Sequence, residues 1–207
     1  MSVQQAYEIW GAAFEDEGKV TSEFDREVMR IVLGGRRFGS ILEIGCGTGR
    51  NTPVLAEIGN RVTAMDVATG LVWRARAKVP RDTVSYMMAD FMRSWPVRDC
   101  AFDLVVSNLV LEYARDLEAI YREAARVLVP GGRYFLSEFH PYRQCQRVGA
   151  AVGLYRDVDP PPTFLHHVSD HLSAAMAAGF SLEQLNEWWE GVEHQKPPRM
   201  LSLLLIR

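Results

Sequence analysis

Apolar and polar positions along the chain switch repeatedly between two periods. Short runs of β-branched and bulky apolar residues at 41–45, 61–65, 84–88, 102–107, 133–137 and 201–206 predict strands. Stretches with helical spacing lie between them at 51–58, 70–78 and 117–128, the last placing Leu117, Ile120, Tyr121, Ala124 and Leu128 on one face. Strand, helix, strand in repetition predicts a doubly wound α/β fold, a mostly parallel sheet covered on both faces.

The ends of the chain depart from that rhythm. Residues 1–20 mix Tyr7, Trp10 and Phe14 with Glu15-Asp16-Glu17 and read as an irregular or short helical arm. Thr21 or Ser22 is placed to cap a helix with Glu23, Asp25 and Glu27 in its early turns and Phe24, Val28, Ile31 and Val32 at helical spacing, ended by Gly34-Gly35. Gly131-Gly132 after Pro130 predicts a sharp helix-to-strand turn. Over 140–168 the alternation fails, and a prolonged irregular stretch of this kind is usually functional or disordered. A last helix over 169–178 ends at Gly179, and 180–189 reads as an extended segment that would supply a seventh strand.

The first predicted strand breaks into Gly45-Cys46-Gly47-Thr48-Gly49 and a helix start at Asn51. Glycines so close together let backbone turn with positive φ and let a ligand lie on it. The spacing is not G-x-G-x-x-G, because Arg50 or Thr52 occupies the third position, and Glu43 beside the loop would repel a pyrophosphate. A ligand with a cationic end fits better.

Composition narrows the classes without choosing a function. The 207 residues, 48% apolar and 24% charged, suit one globular domain. A net charge of −3 disfavours nucleic acid and acidic membranes as partners, and the basic group Arg74, Arg76, Lys78 and Arg81 reads as a solvated helix face. Three cysteines, Cys46, Cys100 and Cys145, at unrelated spacings fit a reducing cytoplasm. Residues 1–10 lack the pattern of a signal peptide, and no apolar run has the length of a membrane span.

In an open parallel sheet, ligands bind at the carboxyl ends of the strands. The second predicted strand ends in Asp66, placed to accept from both hydroxyls of a ribose, each charge-assisted bond contributing about 1.5–3 kcal/mol. The third ends in Ala89-Asp90-Phe91: Asp90 can accept from an adenine amino group, and Phe91 or Val67 can cover the ring. The fourth ends in Ser107-Asn108-Leu109. Together these imply a nucleoside whose tail is not phosphorylated.

These residues resemble the class I S-adenosylmethionine-dependent methyltransferases. Leu42-Glu43-Ile44-Gly45-Cys46-Gly47-Thr48-Gly49 looks like their glycine motif, Val62-Thr63-Ala64-Met65-Asp66 their ribose acid and Ala89-Asp90-Phe91 their adenine acid. Phe102-Asp103-Leu104-Val105-Val106-Ser107 and Arg126-Val127-Leu128-Val129-Pro130-Gly131-Gly132 resemble the two later motifs. Asn108-Leu109-Val110-Leu111-Glu112-Tyr113 is similar to a small-molecule, type 11/12-like branch, and 137–144 and 166–170 resemble its substrate side. The N-terminal arm departs from that branch, with Phe14-Glu15 where a Tyr-Asp pair is common.

The resemblance implies one Rossmann-like domain over 1–207, with strand order 3-2-1-4-5-7-6, the last strand antiparallel, and a substrate cap from 1–22 and 140–168. It implies S-adenosylmethionine as methyl donor, S-adenosylhomocysteine as product, and transfer to O, N, C or S of a small molecule by a monomer or homodimer. The expected donor site is Glu43, Gly45, Cys46, Gly47, Gly49, Asn51, Asp66, Val67, Asp90, Phe91, Asn108 and Leu109. Tyr7, Trp10, Tyr113, Tyr142, Arg143 and His166 are expected on the substrate side. His140, after the fifth strand, is the first candidate base and His167 the second. His167, Asp170 and His171 share one helical face, but Ser169 and Asp170 read as cap and first-turn residues and no metal is expected. An RNA or protein methyltransferase and a catalytically silent binder are the alternatives.

Overall fold

The computed structural model describes residues 4–5, 19–147, 162–190 and 196–207. Seven strands form one sheet in the order β3-β2-β1-β4-β5-β7-β6. They are β1 (Phe38–Ile44), β2 (Gly59–Asp66), β3 (Val84–Met88), β4 (Phe102–Asn108), β5 (Leu128–Phe139), β6 (Ser181–Trp188) and β7 (Met200–Ile206). β7 runs antiparallel to both of its neighbours, and the pairs from β3 to β5 are parallel. The helices are α1 (Lys19–Leu33), α2 (Thr52–Ile58), α3 (Thr69–Lys78), α4 (Leu117–Val127), α5 (Pro141–Arg147) and α6 (Val168–Ala177).

Strands buried on both faces read as near-continuous apolar runs, since successive side chains point to opposite layers. Leu104 and Val106 of β4 pack with Val28, Met29 and Leu33 of α1, whereas Val105 between them packs with Tyr121 and Ala124 of α4. β5 divides in the same way, with Tyr134 and Leu136 on the α4 side and Phe135 on the α1 side.

Four expectations change. Thr21 and Ser22 lie inside α1 instead of capping it. Gly131-Gly132 is not a separate turn, because α4 passes directly into β5 and the irregularity is absorbed as a register shift against β4. The stretch from residue 140 begins with a helix, α5, and 162–167 is pinned where Phe164 N–H donates to the Glu112 carbonyl (2.7 Å). His171 is buried, its Nδ1 sharing a hydrogen bond with Tyr121 Oη (3.0 Å), so α6 turns it into the core and away from exposed His167.

Burial pushes the His171 imidazole down to about 4, so it is held neutral in the fold. The unfolded chain binds a proton near pH 6.5, and the stability held by neutral His171 is therefore lost as pH falls from 6.5 through about 4. His171→Leu is expected to be less stable than wild type by about 1–3 kcal/mol at pH 7, because the Tyr121 hydroxyl is orphaned. Urea unfolding followed by circular dichroism should show that gap narrowing at pH 4.5; a gap that stays constant would mean that His171 is not buried neutral.

Candidate functional site

The glycine loop leaves β1 with Gly45, Gly47 and Gly49 all at positive φ. They do different work. A Cβ on Gly45 would stand 2.5 Å from Val110 Cγ2, and one on Gly49 would stand 3.0 Å from Ala75 Cβ of α3, so both permit close packing. A Cβ on Gly47 would meet nothing within 4 Å, which makes Gly47 the residue facing open space. Cys46 N–H donates to the Met65 carbonyl (3.0 Å) and Gly47 N–H to Asp66 Oδ2 (2.9 Å), latching the loop to the end of β2.

Across the loop a cavity of about 150 Å³ opens between the ends of β1 and β4. Of the expected donor-site residues, Glu43, Gly45, Cys46, Gly47, Asn51, Asn108 and Leu109 line it. Asp66, Val67 and Asp90 lie outside it, beyond the loop at the ends of β2 and β3, so the cavity matches the tail of an elongated ligand and the outer acids its other end. Asp90 folds back on its own segment, Oδ1 accepting from Met92 N–H (3.0 Å) and Oδ2 pairing with Arg93 (3.3 Å). Phe91 is buried and belongs to the core cluster that also holds Trp95. Gly49 packs closely against α3.

An acid that the sequence places only in the early turns of a helix lines the cavity. This acid, Asp25 of α1, is 2% exposed. It accepts from Asn51 Nδ2 (2.8 Å), Asn108 Nδ2 (3.0 Å) and Ser137 Oγ. Asp25 precedes Val28, Met29 and Val32 by three, four and seven positions, so it falls on the apolar stripe of α1. A carboxylate on that stripe was the available signal; it reads instead as an early-turn acid. Ser22, Thr48 and Arg50 also line the cavity, and Arg50 donates to Ser22 Oγ.

Two buried acids, Asp25 and Glu43, line the cavity together with Arg50, and Asp66 stands just beyond the loop. Glu43 accepts from Thr52 Oγ1 (2.7 Å), and burial, reinforced by Asp66 and Asp25, pushes its carboxyl up to about 8. Burial also raises Asp25, against the bonds from Ser137, Asn51 and Asn108, and raises Asp66, against those from Ala68, Gly47 and Val67. The Cys46 thiol is pushed up by burial and then by Glu43 and Asp66, so it is not a nucleophile. Neutral donors hold all three acids, and a cation entering the cavity would favour their charged forms.

The chain leaves β4 through Leu109, whose φ of +54° is left-handed. Leu109 N–H donates to the Ser137 carbonyl (2.8 Å), and Glu138 Oε1 accepts from Val110 N–H (3.1 Å) and Leu111 N–H (2.9 Å). Strain at such a position, about 1–3 kcal/mol, persists where the surroundings determine it.

The candidate bases are held by protein contacts. His140 N–H donates to the Arg199 carbonyl, its Nε2 meets Glu187 Oε1 of β6 (2.9 Å), and its Nδ1 accepts from Tyr142 N–H (3.3 Å). Both ring nitrogens are engaged, one by β6 and one by α5, and His140 is not among the residues lining the cavity. His167 caps α6, where its N–H donates to Asp170 Oδ2 (2.8 Å), and its side chain is exposed. His166 Nε2 donates to the Ala114 carbonyl (2.7 Å) and holds 162–167 against the segment after β4. Tyr113 is buried in the short turn Leu111–Tyr113, Tyr142 is 53% exposed on α5, and Arg143 beside it is partly buried. Tyr7 and Trp10 lie outside the described residues. No group of acids, histidines and cysteines suited to a metal ion occurs among the described residues.

Packing at the loop has a measurable consequence. Gly45→Ala combines left-handed strain of about 1–2 kcal/mol with overpacking of about 1–3 kcal/mol against Val110, whereas Gly47→Ala carries the strain alone. Urea denaturation should rank Gly45→Ala as the less stable variant, and Val110→Ala should restore part of its loss. Equal stabilities would mean that the Val110 contact is absent.

Residues 42–136 match the family described as Methyltransferase domain. A ubiquinone biosynthesis O-methyltransferase from Xanthomonas oryzae pv. oryzae is 34% identical over 157 residues, covering 73% of this chain and 62% of that protein. A malonyl-[acyl-carrier protein] O-methyltransferase from Salmonella typhimurium is 35% identical over 106 residues, covering 51% of this chain and 41% of that protein. The chain thus spans about half the length of these curated relatives. Two solved structures share the fold: the N-methyltransferase NodS of Bradyrhizobium japonicum in complex with S-adenosylhomocysteine (TM-score 0.77, 19% identity, 100% of this chain and 98% of that one) and an S-adenosylmethionine-dependent methyltransferase from Mesorhizobium loti (0.73, 21%, 90% and 98%). In its strand order, its glycine loop and its match over residues 42–136, the chain is similar to the class I S-adenosylmethionine-dependent methyltransferases.

Proposed function

We propose that this protein transfers the methyl group of S-adenosylmethionine to a small-molecule acceptor. The observation that carries the reading is the cavity over Gly47, walled by the buried acids Asp25 and Glu43 and latched to Asp66. Such walls suit a ligand with a cationic tail. The relatives' names, ubiquinone biosynthesis and malonyl-[acyl-carrier protein] O-methyltransferase, support a metabolite as acceptor, and so does the chain's net charge of −3.

The residues divide the ligand between them. Asp66, which already accepts from Gly47 and Ala68 N–H, has lone pairs left for ribose hydroxyls, and Asp90 with Val67 takes the base. Gly47 leaves room for the tail, and Glu43 and Cys46 border it. When bound, S-adenosylmethionine supplies an electrophilic methyl on a positively charged sulfur. The protein holds the acceptor in line with that methyl and excludes water, an arrangement that can contribute about 7–11 kcal/mol as effective molarity. We assign the acceptor side to the described residues 140–147 and 162–168 beside the turn after β4, with Tyr113, Tyr142, Arg143 and His166 as its candidate contacts.

Three measurements test this. Asp66→Ala should weaken S-adenosylhomocysteine binding more than tenfold in calorimetry, and wild-type affinity would remove the ribose role. Glu43 is largely protonated below its value of about 8, so a cationic ligand displaces a proton as it binds. Affinity for S-adenosylmethionine should therefore rise between pH 6.5 and 8.5, and a flat profile would place Glu43 away from the charge. Purified protein given methyl-labelled S-adenosylmethionine and a small-molecule extract of its own cells should label a low-mass product. Binding without any transfer would instead indicate a silent cofactor-binding protein.

A further inference from the structure

At the end of the sheet remote from the glycine loop, the face under α4 is left open. No helix joins β3 to β4, and residues 89–101 cross between them as irregular chain. Beside that crossover lies a cavity of about 720 Å³ whose walls include Ser40, Arg61, Ser94, Arg98 and Arg126, and no acid. Ser40 of β1 stands opposite Arg61 of β2 in the strand register, and by the two-residue alternation both share the face of the core residues Leu42 and Met65.

The three guanidinium groups have different duties. Arg126 of α4 commits all five of its N–H donors within the protein, to Glu123, to Asp99 and to the carbonyls of Trp95 and Val97. It braces the crossover, which Trp95 fixes further through its N–H to Glu123 Oε2 (2.7 Å) and its Nε1–H to the Phe91 carbonyl (2.8 Å). Arg61 and Arg98 are exposed and have no hydrogen bond or ion pair among the described residues. The carboxylates nearby are engaged: Asp103 Oδ2 accepts from Ser40 N–H (2.7 Å), and Glu123 and Asp99 hold Arg126. Two uncompensated positive charges therefore line one cavity of a chain whose net charge is −3.

We propose that this cavity is a second ligand site, which takes a phosphorylated small molecule between Arg61 and Arg98. A guanidinium fork meets phosphate oxygens two at a time, and here one fork comes from the sheet and the other from the crossover. The Ser40 and Ser94 hydroxyls supply further donors at the same walls. The volume falls within the range of about 300–1,000 Å³ usual for small-molecule sites. The site is separate from that of the methyl donor: Arg61 and Asp66 lie five residues apart on β2, about 16 Å at 3.3 Å per residue, and the two cavities share no lining residue. It stands independently of the methyl-transfer reading.

Protein saturated with S-adenosylhomocysteine, which keeps nucleotides out of the donor site, is titrated by calorimetry with pyrophosphate, ATP and adenosine at constant ionic strength. Pyrophosphate and ATP should bind, and adenosine at least about tenfold more weakly than ATP. Loss of one charged hydrogen-bonding partner corresponds to about tenfold in affinity, so Arg61→Ala and Arg98→Ala should each weaken pyrophosphate by about that factor. Both side chains are exposed, and S-adenosylhomocysteine affinity should change less than threefold in either variant. The double variant Arg76→Ala/Lys78→Ala, which removes two exposed charges from α3, should bind pyrophosphate like wild type. Absence of pyrophosphate and ATP binding overturns the proposal, as does wild-type affinity in Arg61→Ala and Arg98→Ala. An equal loss in the α3 variant overturns it too, since the attraction would then be a property of the whole surface.

Discussion

Negative charge withdrawn from water at the strand ends is the constraint around which this site is arranged. Asp25, Glu43 and Asp66 are each less than a tenth exposed, and each is held by neutral donors: two asparagine amides and a serine hydroxyl, a threonine hydroxyl, and two backbone N–H groups. Neutral donors make burial tolerable without cancelling the charge. Desolvation then raises the acids, and the remaining imbalance is an affinity for cations.

The same acids are structural ties. Asp66 fixes the glycine loop by its Gly47 bond, and Asp25 fixes α1 across the ends of β4 and β5. Glu138 aligns the turn after β4 through Val110 and Leu111, and Val110 in turn bears on Gly45 at the base of the loop. The acids gathered at the strand ends are thus themselves supports of the fold.

The histidines show how environment overrides residue type. His140, His166, His167 and His171 stand in or near the stretch that the sequence marks as the substrate side, and an imidazole there invites a catalytic reading. In the fold, His140 pairs with Glu187, His166 anchors on a carbonyl, His167 starts a helix and His171 is a neutral core residue bonded to Tyr121. Each has a partner remote in sequence or belonging to a helix cap. The polar group at the strand ends is an aspartate in a helix where an acid looked like ordinary first-turn chemistry.

The sheet, the glycine loop and the acids ending β2 and β3 were legible because their causes are local. A doubly buried strand must be apolar throughout, a tight turn bearing a ligand requires glycine, and the carboxyl end of a parallel strand is where a binding acid stands. The roles of Asp25, Asn51, Gly49, Phe91 and His140 could not be read in this way. Each depends on which side chain arrives from another part of the chain: Asn51 and Asn108 beside Asp25, Ala75 against Gly49, Trp95 against Phe91, Glu187 against His140. By itself the sequence determined the layered fold and the glycine loop at its strand ends, because periodicity and turn chemistry act between near neighbours. Only the tertiary structure decided which acid is buried in the cavity and which histidine is not, because burial and hydrogen-bond partners are set by contacts between distant segments.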